Sequence, residues 1–239
     1  MAEAPQTLYA RLRDELRGAI LDGRLAVHSK LPSENELSQA NGVSRITVRQ
    51  ALADLQREGL ITRLQGKGAF VSHPRTSQSL QRLEGLGEAL SPQGQAVHSQ
   101  RLSMKSLRAP ATVAKQLQLP ARSEVYQLMT LRYVNLSPVS VNCSYYPKTL
   151  GERMVRLDMS GRDVIEVLEQ DLGLQVSQAQ LDISAIPLAK REAKWLKGTV
   201  GEPALLVHRI LLDDQHQPVQ IEMATHRAET FSYKLTLGR

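Results

Sequence analysis

The 239-residue sequence predicts an α+β protein of two domains. Three observations carry that reading. Amphipathic helical patterns open the chain, a glycine-tipped hairpin follows them, and the longer remainder alternates apolar strand-like runs with short helices.

The first helix spans residues 8–21, where Leu8, Leu12, Leu16, Ala19 and Ile20 recur at helical spacing and Gly23 supplies a stop. Ser33-Glu34-Asn35-Glu36 has the form of a capping box behind Pro32 and starts a short second helix. That helix ends at Ala40-Asn41-Gly42, a turn in which glycine accepts a positive φ. Ser44 then caps a third helix running to about Glu58, with Gly59 ending it. Val48, Ala51, Leu52 and Leu55 form its buried stripe, and Arg45 and Arg49 lie one turn apart on another face. Two strands follow at residues 60–64 and 69–72, joined by the basic tip Gln65-Gly66-Lys67-Gly68.

Residues 73–80 are polar and contain a proline, which makes them the expected linker between domains at 1–72 and 81–239. Beyond it, strands are expected at 100–107, 124–135, 138–146, 174–185, 204–212 and 218–226. Helices are expected at 111–117, 163–172 and 189–197. Turn signals at Asn135-Leu136-Ser137-Pro138 and at residues 213–218 make this part mostly antiparallel.

Composition narrows the function classes. The net charge is +6, and it is concentrated: residues 39–75 hold 6 Lys/Arg against 2 Asp/Glu. A local basic surplus suits phosphate contacts. No run of about 18 apolar residues occurs, and the N-terminus lacks a secretory pattern. With Cys143 the single cysteine, neither an internal disulfide nor a metal motif is available, so the expected location is cytoplasmic. The six histidines are scattered, no nucleophile–base pair is evident, and Gly66-Lys67-Gly68 lacks the spacing of a nucleotide loop. An enzyme is therefore disfavoured, and no catalytic residue, metal or cofactor is expected.

A helix, a tight turn and a capped helix bearing outward arginines make a helix-turn-helix that fits a DNA major groove, with the hairpin as its wing. Arg45 and Arg49 stand in the first turns of the third helix, where a guanidinium can bond guanine O6 and N7 together. Ser44 and Thr47 are short enough for phosphate or a base edge. Lys67 between two glycines lets the wing backbone approach phosphates.

Four blocks, Lys30 to Leu37, Gly42 to Leu52, Glu58 to Ile61 and Gly66 to Val71, resemble the GntR family of bacterial regulators in order and spacing. The resemblance implies that Arg45, Thr47 and Arg49 face the major groove and that Gly66 and Lys67 sit in the wing. Ser33 and Glu34 match the positions opening the second helix, where a phosphate can be held; as first-turn acids, Glu34 and Glu36 are expected mainly to cap.

The second part resembles the UTRA effector domain of the HutC subfamily, through Val125 to Arg132, Pro138 to Pro147, Asp163 to Gly173 and Pro218 to Tyr233. That implies a chorismate lyase-like antiparallel sheet with helices, a metabolite pocket and a homodimer. Amino-sugar-phosphate members show Arg-Leu-Arg where Thr130-Leu131-Arg132 stands, Glu at Asn142, and Ser-Leu-Tyr at Asp163-Val164-Ile165, which disfavours a sugar phosphate here. Arg132 and Arg227 are then the candidate anion clamps, Ser144 a hydroxyl donor, and Asp163 and Glu222 partners for an ammonium. Thr130 to Asn135 and His226 to Glu229 also look like the phosphonate-utilisation subgroup. The expected protein is a repressor, a homodimer on an inverted-repeat DNA operator, released by a small anionic or zwitterionic effector such as a phosphonate. The alternatives are a carboxylate effector, such as an amino acid or its catabolite, and a ligand-free dimerisation module or architectural protein.

Overall fold

The computed structural model describes residues 7–64, 66–72, 76–134 and 137–238 (Gln93 by its backbone alone), in two compact units that divide between residues 75 and 76.

The first unit contains α1 (Leu8–Leu21), α2 (Glu34–Asn41), α3 (Arg45–Arg57), β1 (Ile61–Leu64) and β2 (Gly68–Val71). Each helix begins on a hydroxyl cap: Thr7, Ser33 and Ser44 accept from the backbone N–H three residues on. Gly42 adopts φ 62°, which turns the chain from α2 into α3 without the steric cost a β-carbon brings. The strands pair antiparallel from Ile61↔Val71 to Leu64↔Gly68. Leu12, Leu37, Val48, Leu52, Leu55 and Ile61 form one core. Full burial of a leucine contributes about 1.5–3 kcal/mol, so the apolar stripe of α3 fixes which of its faces remains outward.

The second unit contains β3 (Thr76–Ser79), α4 (Leu86–Leu90), β4 (Val97–Arg108), α5 (Ala111–Gln116), β5 (Glu124–Val134) and β6 (Ser137–Pro147). These are followed by α6 (Lys148–Met154), α7 (Val164–Gln170), β7 (Val176–Pro187), α8 (Lys190–Leu196), β8 (Pro203–Asp213), β9 (Pro218–Arg227) and β10 (Phe231–Lys234). Six strands form an antiparallel sheet in the order β4-β5-β6-β9-β8-β7. Alternation along the strands divides its side chains between two faces. One face packs on α5 and α8 through Val125, Leu131, Val141, Tyr145 and Ile221. The other packs on α6 and α7 through Leu128, Tyr146, Leu211 and Val219, and α4 covers Val134 and Val139.

Two expectations change. The linker does not extend over 73–80: residues 76–79 are β3, paired in parallel with β10 from Phe231↔Thr76 to Lys234↔Ser79, and residues 73–75 lie outside the described residues. A four-residue polar strand whose partner is about 150 positions away leaves no local periodicity to read. The second change is α6, which lacks a clear apolar stripe; its Gly151 lies so close to β5 that an added β-carbon would meet Tyr126 at 2.3 Å. The Asn135-Leu136 part of the β5–β6 turn signal falls outside the described residues.

Candidate functional site

In the first unit, the N-terminal turn of α3 presents Arg45, exposed, and Arg49, whose side chain is 59% exposed. Between them Ile46 is 76% exposed, a large apolar side chain that sequence periodicity did not single out. Ser44 and Thr47 spend part of their polarity locally: Ser44 Oγ accepts from the Thr47 backbone N–H at 3.1 Å and lies 2.8 Å from Thr47 Oγ1. Gly66 has φ 74° and Lys67 is exposed at the hairpin tip. Lys30 runs beside that hairpin, bridged to Phe70, with its Cε near Gly68.

The two acids opening α2 have different jobs. Glu36 closes the capping box, accepting from the Ser33 N–H at 2.7 Å, and that bond is the main cause holding its carboxyl below the usual range. Glu34 does not cap. Its carboxylate accepts from Arg49 Nε at 2.8 Å and from Arg63 Nη2 at 2.9 Å, reaching from α2 to α3 and to β1. The expectation that both acids mainly cap is thus corrected for Glu34.

In the second unit, Arg132, Asn142, Ser144 and Glu222 meet on the sheet face toward α4, α6 and α7, around small cavities of ≈ 50 Å³ and ≈ 20 Å³. Glu222 is the hub: Asn142 Nδ2 donates to it at 3.1 Å, Ser144 Oγ at 3.2 Å and Arg209 Nη2 at 2.7 Å. Burial by itself would raise this carboxyl. The Arg209 charge, the Asn142 amide, the Arg132 charge and the Ser144 hydroxyl outweigh it and hold the group below its ordinary value. Gln220 donates to Ser144 Oγ at 3.1 Å and to Tyr146 Oη at 2.9 Å. Arg132 pairs with Asp163, whose other oxygen accepts from the Glu88 backbone N–H of α4 at 2.9 Å.

Asp163 stands at the cap position of α7 yet makes no cap bond there. Its carboxylate is turned instead toward α4, so close that a β-carbon on Gly85 would overlap it. Asp163 and Glu222 thus already hold an arginine each, which removes the vacancy that the ammonium reading needs. The side chains of Arg132 and Glu222 are only 12% and 9% exposed, so their charges do not belong to a solvated surface.

Arg227 does not join this cluster. Glu222, Ala224 and His226 face the cavity, so the next residue faces away; Arg227 pairs with Glu202 and Glu229, beside Gly198 at the end of α8. The resemblance put Arg227 and Glu222 in one effector site, and their five-residue offset along β9 puts them on opposite faces. Sequence reasoning missed Arg209, although a charge inside the apolar run of β8 was a readable signal.

His226 is fully enclosed, stacked 4.0 Å from the Phe231 ring. Among the described residues neither ring nitrogen has a partner of good hydrogen-bond geometry, the Val139 backbone offering only weak acceptance. Burial, joined by the Arg132 and Arg209 charges and opposed by Glu222, pushes its pKa down to about 3. The unfolded chain protonates this histidine below about 6.5 while the fold keeps it neutral. Stability therefore falls as pH drops from 6.5 toward 3, by about 1 kcal/mol per pH unit for this one proton. His226→Phe is expected to flatten that decline between pH 6 and 4. Urea midpoints read by emission of the single tryptophan, Trp195, check it; equal slopes in both proteins would refute it.

Among the described residues no helix is long and apolar enough to cross a membrane, and no His/Cys/Asp/Glu group has metal-holding geometry.

The model for bacterial regulatory proteins of the gntR family matches residues 8–71, and that for the UTRA domain matches residues 92–232. The probable fructoselysine utilization operon transcriptional repressor of Escherichia coli K12 is 29% identical over 223 residues, covering 93% of this chain and 91% of that protein. The HTH-type transcriptional repressor NagR of Bacillus subtilis is 26% identical over 231 residues, covering 97% and 95%. Among solved structures, PhnF from Mycobacterium smegmatis matches with a TM-score of 0.70 at 22% identity, over 95% of this chain and 99% of that one, a likeness of fold.

Proposed function

Because the chain belongs to the GntR family of bacterial transcription regulators and carries the UTRA domain of its HutC branch, we propose that it is a cytoplasmic repressor released from DNA by a small anionic effector. DNA binding and effector sensing are properties of those two domains, and the protein is a regulator, not an enzyme. The finer reading concerns contacts and ligand. Two copies bind an inverted repeat, one α3 per half-site. Arg45 and Arg49 read guanine edges, Ile46 meets a thymine methyl, Ser33, Ser44 and Thr47 approach phosphate or base, and the Gly66-Lys67 wing tracks the backbone.

The observation that carries the ligand class is a pair of largely enclosed guanidiniums. Arg132 and Arg209 line the same cavity, and each keeps a buried Nε without a partner among the described residues. Buried donors of that kind call for an acceptor. An anion, whether a carboxylate or a phosphonate, satisfies them and competes with Asp163 for Arg132. Once displaced, Asp163 also releases the Glu88 N–H, and with it α4, which follows β3 directly from the unit boundary. Effector binding is thereby linked to the segment that carries the DNA-binding unit.

Both halves are testable. Selection of duplexes from a random library by the wild-type protein defines its site, and Arg45→Ala is expected to weaken that site by about tenfold or more while changing scrambled DNA less. Unchanged discrimination would sink the base-reading role. A thermal-shift panel of amino acids, their carboxylate catabolites and alkylphosphonates is expected to yield a stabilising anion whose effect is lost in Arg132→Ala. If no anion in the panel stabilises the wild-type protein, the ligand-free dimerisation module is the better reading.

A further inference from the structure

The charge cluster between α2, α3 and the wing has a chemistry that the contact residues alone do not explain. Glu34 is an acid set among cations on the face expected to meet a polyanion, where a bare carboxylate repels phosphate. It sits at the first position of α2, its side chain 26% exposed, while Glu36 does the capping. One oxygen holds Arg49 Nε and the other holds Arg63 Nη2, an arginine of the first wing strand that sequence reading did not single out.

A guanidinium has five N–H donors in a fixed plane. With Nε engaged by Glu34, the two terminal nitrogens of Arg49 stay available on the opposite edge of that plane, which is the edge that bonds guanine O6 and N7 together. An arginine free to rotate on its long side chain donates as readily to any phosphate. We infer that Glu34 is a positioning residue: it aims Arg49 for guanine, ties the wing to α3 through Arg63, and lowers the attraction of this face for DNA of any sequence. This rests on the reading that α3 enters the major groove.

The test compares the full-length wild-type protein with Glu34→Gln, Arg49→Ala and the double variant, each selected on a random duplex library and then titrated by anisotropy on the selected site and a scrambled duplex. Glu34→Gln keeps side-chain size and the Ser33–Glu36 capping box, so its melting temperature serves as the fold control. The expected result is a loss of about tenfold in preference at one guanine per half-site, with scrambled-duplex affinity equal or higher. In the Arg49→Ala background the same substitution is expected to change no base preference, because the arginine it aims is gone.

Three outcomes overturn the proposal. Unchanged discrimination in Glu34→Gln removes the positioning role. A base preference that still shifts in the Arg49→Ala background makes Glu34 a direct base contact instead. A loss of discrimination that follows a lowered melting temperature makes Glu34 a fold residue. Failure of the underlying reading looks different: Arg49→Ala then leaves the wild-type consensus intact.

Discussion

Glu222→Ala is expected to destabilise the strand-rich unit by about 3–5 kcal/mol, because it leaves the Arg209 guanidinium buried without its counter-charge. The side chains of Arg209 and Glu222 are only 15% and 9% exposed, so water does not replace the lost partner. The same change strips Asn142 and Ser144 of an acceptor, and each buried donor left unmade adds its own desolvation cost. Glu222→Gln, which keeps the volume and one acceptor oxygen, is expected to cost less. Trp195 lies in this unit, on α8, and its emission under urea reads the loss. A Glu222→Ala midpoint equal to wild type would show that the cluster is hydrated or rearranges. Removing Arg209 as well, with Arg209→Leu in the Glu222→Leu background, is expected to recover much of the stability, since replacing a buried pair by apolar groups of similar volume is close to neutral.

Leu55→Ala is the second large effect, about 2–5 kcal/mol. Leu55 is fully enclosed on the inner stripe of α3, packed in one cluster with Leu12, Leu52 and Ile61. Truncation removes three heavy atoms and leaves a void that a unit of only 75 residues has little means to close. Because that stripe fixes the outward direction of Arg45 and Arg49, DNA binding should fall with helix content as the unit unfolds. Far-UV circular dichroism reports the helices, and the Trp195 signal, confined to the other unit, serves as the internal reference. A dichroism midpoint unmoved by Leu55→Ala would mean that α3 is not anchored by this residue.

The elements that could be read from the chain were those whose cause is local. The capping box of α2, the Ser44 cap, the Gly42 turn and the stripe from Val48 to Leu55 each involve residues within a few positions of one another, and each is found in the fold. Long strands with apolar alternation, such as β5 and β6, also announced themselves. Short elements whose partners are distant did not: β3 needs β10, and α6 needs the flat approach that Gly151 gives to Tyr126.

The same division runs through the candidate site. Sequence by itself determined that α3 begins with outward arginines and that acids, amides and arginines fill the inner strands. Which charge meets which was decided by the tertiary structure. Parity along β9 sends Glu222 toward the cavity and Arg227 to the opposite face. The fold also pairs Arg209 with Glu222, diverts Asp163 from its own helix to Arg132 and α4, and gives Glu34 to Arg49 and Arg63 rather than to a cap. Caps and stripes are satisfied within a single turn, so their residues suffice to specify them. A buried charge must be met by whatever counter-charge or hydrogen-bond donor the packing brings within about 3 Å, and such a neighbour lies up to 80 positions away.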